Sequence, residues 1–148
     1  MVKHSANRKS ESRLVSKARQ RSKRQSHLYA QLPDRAHALI RDPAGTINFW
    51  ARGLERLYGF TSAEVIGRIS HKLLNTEFPC PQKDIDAELF DTGEWTGELT
   101  QRKRDGGTIV VASHWVLLRD DKDGPQVAEV SNEVGERARA YLRALLNP

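Results

Sequence analysis

The chain contains few side chains whose types and spacing suit catalysis. Ser113 and His114 are neighbours in an apolar run, and adjacent strand residues point to opposite faces, so they cannot act on one group. Asp84 and Glu88 share one side of a helical segment, but nearby basic residues make a solvated face the simpler interpretation. The sequence contains no glycine-rich phosphate loop, metal-spaced cysteine and histidine cluster or nucleophile motif. We therefore expect neither enzymatic activity nor a metal site.

A small-molecule pocket is the stronger candidate, because one set of mostly apolar residues is expected to face a common interior. Alternate strand residues and the helical residues opposite them would enclose it, and Ser113 could orient a ligand. The same residues could also form a plain hydrophobic core, since a chain of 148 residues needs most of its large side chains to fold. Both interpretations stay open for Leu73, Leu74, Ile85, Leu89, Trp95, Leu99, Val111, Ser113 and Trp115.

Positive charge is concentrated at the N-terminus. The first 26 residues carry nine lysines and arginines against one acid, Glu11, which gives +8 in a chain whose total charge is +5. Residues 1–27 lack the apolar groups that would offset the entropy of ordering, so we expect a disordered basic tail. Such a tail could bind nucleic acid by releasing counterions, although no aromatic residue before Tyr29 could stack on bases. The candidate contacts are Arg19, Arg21, Lys23 and Arg24.

Cysteine content and hydropathy bear on the cellular compartment. Cys80 is the only cysteine, which excludes an internal disulfide and favours a reducing environment. No segment approaches the roughly 18 apolar residues that a membrane-spanning helix needs. The N-terminus also lacks the apolar core of a secretion signal. We expect a cytoplasmic protein of about one domain that does not contact a membrane.

Five segments have the composition and turn signals of strands. Asp42-Pro-Ala-Gly45 is a turn in which proline presets φ and glycine accepts a positive φ. Asp105-Gly-Gly107 separates two long β-prone runs, which predicts a hairpin. The predicted strands are His37–Arg41, Thr46–Trp50, Glu94–Arg104, Thr108–Leu118 and Gln126–Ser131.

Short helices are predicted between the second and third strands. Leu54 and Tyr58 share one helical face, and Gly59 ends that segment. Thr61 and Glu64 match a capping box, which predicts the start of a second helix. Further helical segments are expected at 70–74 and 81–91, before the first strand, and from 136 to 146.

The fourth predicted strand, Thr108–Leu118, is apolar on both faces, whereas a half-solvated antiparallel strand alternates. We therefore expect its outer face to be covered by the N-terminal helix or by a second subunit. The candidate docking positions are Val110, Ala112, His114 and Val116.

Four stretches in the right order resemble the PAS domain family and together span about two thirds of the chain. They are Ile40–Trp50, Leu54–Gly67, Thr92–Leu99 and Arg102–Gly107, while Ser70–Pro79 and Val110–Trp115 are similar to PAS modules of bacterial sensor histidine kinases. The resemblance implies an α+β fold: a five-stranded antiparallel sheet with short helices on one face and flanking N- and C-terminal helices. The expected division is a tail at 1–27, a PAS-like sensor domain at 28–134 and a C-terminal helix at 135–148.

The resemblance also indicates which cofactors to consider. Some PAS domains sense oxygen through haem, whose axial histidine would lie on the long helix, but 82–90 contains none, and His71 is interpreted as a capping or surface residue. Light-sensing relatives carry a reactive cysteine two residues after a Gly-Arg pair, where this chain has Ser70 after Gly67-Arg68. Cys80 lies ten residues further on and is interpreted as a small, partly buried loop residue. Haem and photoactive flavin are therefore disfavoured, and the ligand is unknown.

The resemblance implies a sensory and interaction module of bacterial signal transduction. It would bind a small ligand or a protein partner and signal in trans as a homodimer, with a histidine kinase or response regulator as possible partner. The motif through which family members couple the sheet to an output is altered here to Glu133–Arg137. The alternative is a nucleic-acid-associated regulator that uses the basic tail, with the domain as its dimerisation platform.

Overall fold

A computed structural model of the chain describes residues 35–119, 124–135 and 144–145. These residues form a five-stranded antiparallel sheet with several short helices, which confirms the predicted fold class. The predicted basic tail and N-terminal helix lie outside the described residues, as does the C-terminal helix apart from Ala144 and Leu145. The elements are β1 (Ala38–Arg41), β2 (Ile47–Trp50), α1 (Arg52–Tyr58), α2 (Ser62–Val65), α3 (Ser70–Leu73), α4 (Gln82–Thr92), β3 (Glu94–Arg102), β4 (Thr108–Leu118) and β5 (Gln126–Glu133).

The strand order across the sheet is β2-β1-β5-β4-β3, so the last strand is inserted at the centre between the first strand and the hairpin. The β3–β4 hairpin runs in continuous register from the Glu94–Val116 pair to the Arg102–Thr108 pair. Its turn is closed by Asp105, whose Oδ1 accepts a hydrogen bond from the Gly107 amide at 2.8 Å. Because β5 pairs with β1, the first and last strands in the chain are neighbours in the sheet.

Local signals begin and end the helices as predicted. Gly59 and Gly93 follow α1 and α4 with φ of 87° at both positions, which side chains other than glycine rarely adopt. At the start of α2, the Thr61 hydroxyl accepts from the Glu64 amide and the Glu64 carboxylate accepts from the Thr61 amide. This reciprocal capping box satisfies two amides that the helix itself cannot pair.

The hydrophobic core lies between the helices and one face of the sheet, here called the inner face. Along β4 the odd-numbered residues from Ile109 to Leu117 are buried, while Ala112 and His114 on the outer face are exposed. The described strand therefore alternates in burial although its sequence is apolar on both faces. Among the described residues, no helix is long and apolar enough to cross a membrane.

Candidate functional site

The inner face carries a buried ion pair that joins two adjacent strands. Arg41 follows Leu39 by two residues in β1, and Glu129 follows Val127 by two residues in β5, so both side chains turn inward with their apolar neighbours. The strands pair Leu39 with Glu129 and Arg41 with Val127, which makes Arg41 and Glu129 diagonal neighbours. Arg41 Nε donates to Glu129 Oε2, and the side chains are 5% and 6% exposed.

The guanidinium of Arg41 also lies over the indole of Trp115, 4.6 Å from the ring centroid. Trp115 in turn contacts Trp95, with ring centroids 4.8 Å apart, and meets Phe78 edge-on at 6.3 Å. Its Nε1 donates to Ser113 Oγ at 3.0 Å. Trp115 is therefore the side chain through which the ion pair contacts the aromatic core. The indole face also attracts the positive charge of Arg41 through a cation–π interaction.

A second polar group lies beside the pair and links α1, β3 and the segment after α3. The Tyr58 hydroxyl donates to Gln101 Oε1, and Gln101 Nε2 donates to Thr76 Oγ1 at 3.1 Å. Burial raises the pKa of the Tyr58 phenol, and the negative charges of Glu129 and Glu133 raise it further. Tyr58 therefore stays a neutral hydrogen-bond donor at physiological pH.

His71 is half-buried at the edge of this polar group, where it is neither a helix cap nor a fully exposed residue. Burial lowers the pKa of its imidazole, because the charged form loses solvation, and Arg41 and Lys72 lower it further. The carboxylates of Glu129 and Asp86 act in the opposite direction. The folded environment therefore favours the neutral imidazole.

These side chains surround a cavity of about 10 Å³, which is about the space that one water molecule requires. Among the described residues, every buried side-chain nitrogen and oxygen has a hydrogen-bond partner, and no cluster of histidine, cysteine and carboxylate could hold a metal ion. The cavity can thus hold about one water molecule between an ion pair and two aromatic rings. Its lining consists of Arg41, Ser70, His71, Thr76, Phe78, Gln82, Leu99, Gln101, Trp115 and Glu129.

Two of the nine candidate pocket residues, Leu99 and Trp115, line this cavity. Ser113 is buried but its hydroxyl bonds to Ser131 at 2.8 Å and accepts from Trp115. The others lie in the hydrophobic core or, for Leu73, against it: Leu74, Ile85, Leu89, Trp95 and Val111. The cavity therefore lies beside the predicted cluster and is much more polar than that cluster.

Apart from Ser70 and His71, which were considered as cofactor positions, the polar residues of the cavity were absent from the sequence-based candidates. Arg41 and Glu129 could have been suspected, because each stands in phase with buried apolar residues of its own strand. The contact between Arg41 and Glu129 could not have been predicted from the sequence, because it depends on which strands are neighbours in the sheet. Gln101 also faces inward with Leu99, although it stands near the polar end of β3.

On the opposite face of the sheet, the predicted docking positions lie together. Ala112 and His114 are exposed, and Val110 and Val116 are half-buried. Val130 of β5 pairs directly with His114 and is 39% exposed. His114 Nε2 lies 3.8 Å from a carboxylate oxygen of Glu94.

Two other predictions concern residues away from this face. Cys80 is exposed rather than partly buried as expected. The predicted nucleic-acid contacts lie outside the described residues: Arg19, Arg21, Lys23 and Arg24.

Comparison with known proteins places the fold. No family model matches the chain, and a search of curated proteins finds no match. Among solved structures, a PAS domain from Colwellia psychrerythraea is 20% identical, with a TM-score of 0.59 over 76% of this chain and 95% of that one. A light-oxygen-voltage domain studied with a flavin analogue is 24% identical, with a TM-score of 0.59 over 83% of this chain and 93% of that one. An RNA-binding light-oxygen-voltage receptor is 20% identical, with a TM-score of 0.61 over 77% of this chain and 34% of that one.

These similarities show that the chain has the PAS fold, and they correct one interpretation of the sequence. Photoactive flavin was disfavoured because Ser70 stands where light-sensing relatives have cysteine, and this is wrong, because several of the similar structures are light-oxygen-voltage domains. The side chains as described do not fit a flavin ring, since the cavity has about 10 Å³. Sites for drug-sized ligands have roughly 300–1,000 Å³, far more than the volume of this cavity.

Proposed function

We propose that this chain, which has the PAS fold, is a sensory and interaction module of bacterial signal transduction that acts in trans as a homodimer. The observation that carries the proposal is the apolar patch on the outer face, defined here as Val110, Ala112, Val116 and Val130, with His114 at its centre. Val130 is 39% exposed on β5, the central strand of the sheet, and the other patch residues lie on the adjacent strand β4, so the patch is away from either edge. Contiguous apolar surface of this kind is typical of protein interfaces.

The proposed signal is a change in packing between the two faces of the sheet. The inner-face pair of Arg41 and Glu129 and the outer-face residue Val130 belong to adjacent strands, and Val130 directly follows Glu129. A ligand or partner that prefers one arrangement of this pair would shift the population of the outer-face arrangement. The proposal assigns the chain a cytoplasmic location, no catalytic activity of its own, and a histidine kinase or response regulator as downstream partner.

Substitution of Val130 by lysine tests the dimer. We expect the wild-type chain to be dimeric and Val130→Lys to weaken dimerisation about tenfold or more, because a symmetric interface would bury the new charge twice. Native mass spectrometry measures subunit number and also detects any small molecule retained on purification. Visible absorbance of the same sample would reveal a coloured cofactor such as a flavin.

The matched control is Ile66→Lys, since Ile66 is also an exposed apolar residue, at 46%, but follows α2 outside the patch. The control variant should dimerise as the wild type does. A wild-type monomer, or equal dimerisation of the two variants, would exclude the outer face as the interface.

A second candidate function, nucleic-acid binding through the tail, is favoured by the charge of +8 in the first 26 residues and by the RNA-binding receptor among the similar structures. We assume that one phosphate is neutralised by each of four residues, Arg19, Arg21, Lys23 and Arg24. The logarithm of the binding constant for single-stranded RNA should then fall with the logarithm of the salt concentration, with a slope of about −3. Fluorescence anisotropy across a salt series measures this slope. Deletion of residues 1–26, or glutamine at these four positions, should abolish binding while the dimer persists, whereas unchanged binding by both variants would exclude the tail.

A further inference from the structure

His71 is connected to the buried ion pair through a continuous series of ring contacts. Its imidazole centroid lies 6.4 Å from that of Phe78, and Phe78 meets Trp115 edge-on at 6.3 Å. Trp115 carries the guanidinium of Arg41 on its face at 4.6 Å. His71, Phe78, Trp115, Arg41 and Glu129 all line the same cavity, so a change at His71 acts on a space that the pair shares.

The imidazole has little freedom to move away from the cavity. On its other side, a Cβ added to Gly45 would lie only 3.3 Å from His71 Nδ1, so the backbone of the turn after β1 packs closely against the ring. The carbonyl of His71 accepts a hydrogen bond from the Thr76 amide at 2.9 Å, which holds the end of α3 to the following segment. A charge on the ring would therefore arise beside the residues that line the cavity.

Four charged groups from four elements act electrostatically on His71. Arg41 belongs to β1, Lys72 to α3, Asp86 to α4 and Glu129 to β5. With the imidazole neutral, Arg41 and Glu129 balance each other. With the imidazole protonated, two cations share the cavity with one buried carboxylate, so the imidazolium both repels Arg41 and competes with it for Glu129.

We propose that His71 makes the Arg41–Glu129 pair responsive to pH, because a proton on the imidazole weakens the pair and loosens the contact between β1 and β5. As regulation of a sensor this rests on the proposed function, but the device itself requires neither a ligand nor a partner. The element it biases is the central strand of the sheet, which carries Val130 on its outer face.

The direction of the effect follows from the lowered pKa of His71. The unfolded chain takes up a proton on this residue at about pH 6.5, whereas the folded chain takes it up at a lower pH. Between these two values the unfolded state binds more protons, so stability falls as the pH falls below about 6.5. Above that pH the stabilisation from neutral His71 is fully present.

Nuclear magnetic resonance over about pH 8 to 5 tests the device. In the wild type, the Trp115 indole N–H resonance should shift with the same midpoint as the His71 imidazole. In His71→Gln that shift should be lost, while the control His37→Gln, which removes a histidine that does not line the cavity, should retain it. Lys72→Gln should raise the His71 midpoint, because it removes one of the positive charges that act on the ring.

Three outcomes would overturn the device: an unchanged Trp115 shift in His71→Gln, titration of wild-type His71 without a Trp115 response, or a wild-type midpoint at or above that of free histidine. The last two need no variant, so they hold even if His71→Gln folds poorly. A monomer in native mass spectrometry would refute the proposed dimer but not this device, and loss of the Trp115 response would refute the device but not the dimer.

Discussion

Replacement of Arg41 by methionine is expected to lower the free energy of unfolding by about 3–5 kcal/mol. The substitution keeps the aliphatic stem but leaves the Glu129 carboxylate, whose side chain is 6% exposed, without its partner. A buried carboxylate that has lost its cation carries the full cost of desolvation. Urea denaturation followed by circular dichroism at neutral pH measures the loss.

The exposed ion pair of Arg104 and Glu64 provides the matched control. Its side chains are 55% and 37% exposed, so Arg104→Met should cost much less than Arg41→Met, because solvent screens an exposed pair. The double variant Arg41→Met/Glu129→Leu should recover most of the loss, because a well-packed apolar pair can replace a buried ion pair. Equal losses for Arg41→Met and Arg104→Met would mean that burial does not set the strength of the inner pair.

Replacement of Trp115 by alanine is expected to cost about 3–5 kcal/mol, since the variant loses apolar burial and leaves a cavity. Trp115 is 2% exposed and supports Trp95, Phe78 and the guanidinium of Arg41 at once. Trp115→Phe retains an aromatic ring in the core and should cost clearly less. Urea denaturation of both variants compares the two losses.

Phe90 supplies the control for this second prediction. It is an aromatic residue on α4 that is 42% exposed, so Phe90→Ala should lie within about 0.5 kcal/mol of the wild type. A loss for Trp115→Ala as small as that for Phe90→Ala would show that the core repacks around the missing indole. The role given to Trp115 in connecting His71 with the ion pair would then fail as well.

The two predictions concern the same feature, an interior whose polar groups are satisfied by one another. Tyr58, Gln101 and Thr76 form one hydrogen-bonded series, and Arg41 and Glu129 form a pair beside it. A ligand that bound here would therefore have to rearrange hydrogen bonds that already exist, and the cost of that rearrangement would set how tightly it must bind.

Much of the fold followed from residues that are close together in the chain. The bounds of β4, the capping box at Thr61 and the turn at Asp105 depend on alternation, on a side chain reaching its own helix start and on a positive φ. Family resemblance supplied the arrangement of the five strands in one antiparallel sheet with the helices on one face. The environment of the outer face of β4 could not be predicted in this way, since an apolar sequence does not determine whether a partner covers that face.

The sequence by itself determined the local elements of this protein, because turns, caps and strand alternation are set within a few residues. Only the tertiary structure decided that Arg41 meets a carboxylate 88 residues further along, since that contact exists because β5 is inserted beside β1. The tertiary structure also brings His71, Phe78 and Trp115, which come from separate segments of the chain, around the same cavity. Long-range strand order selects which polar residues become neighbours, and the electrostatics of the site depend on that selection.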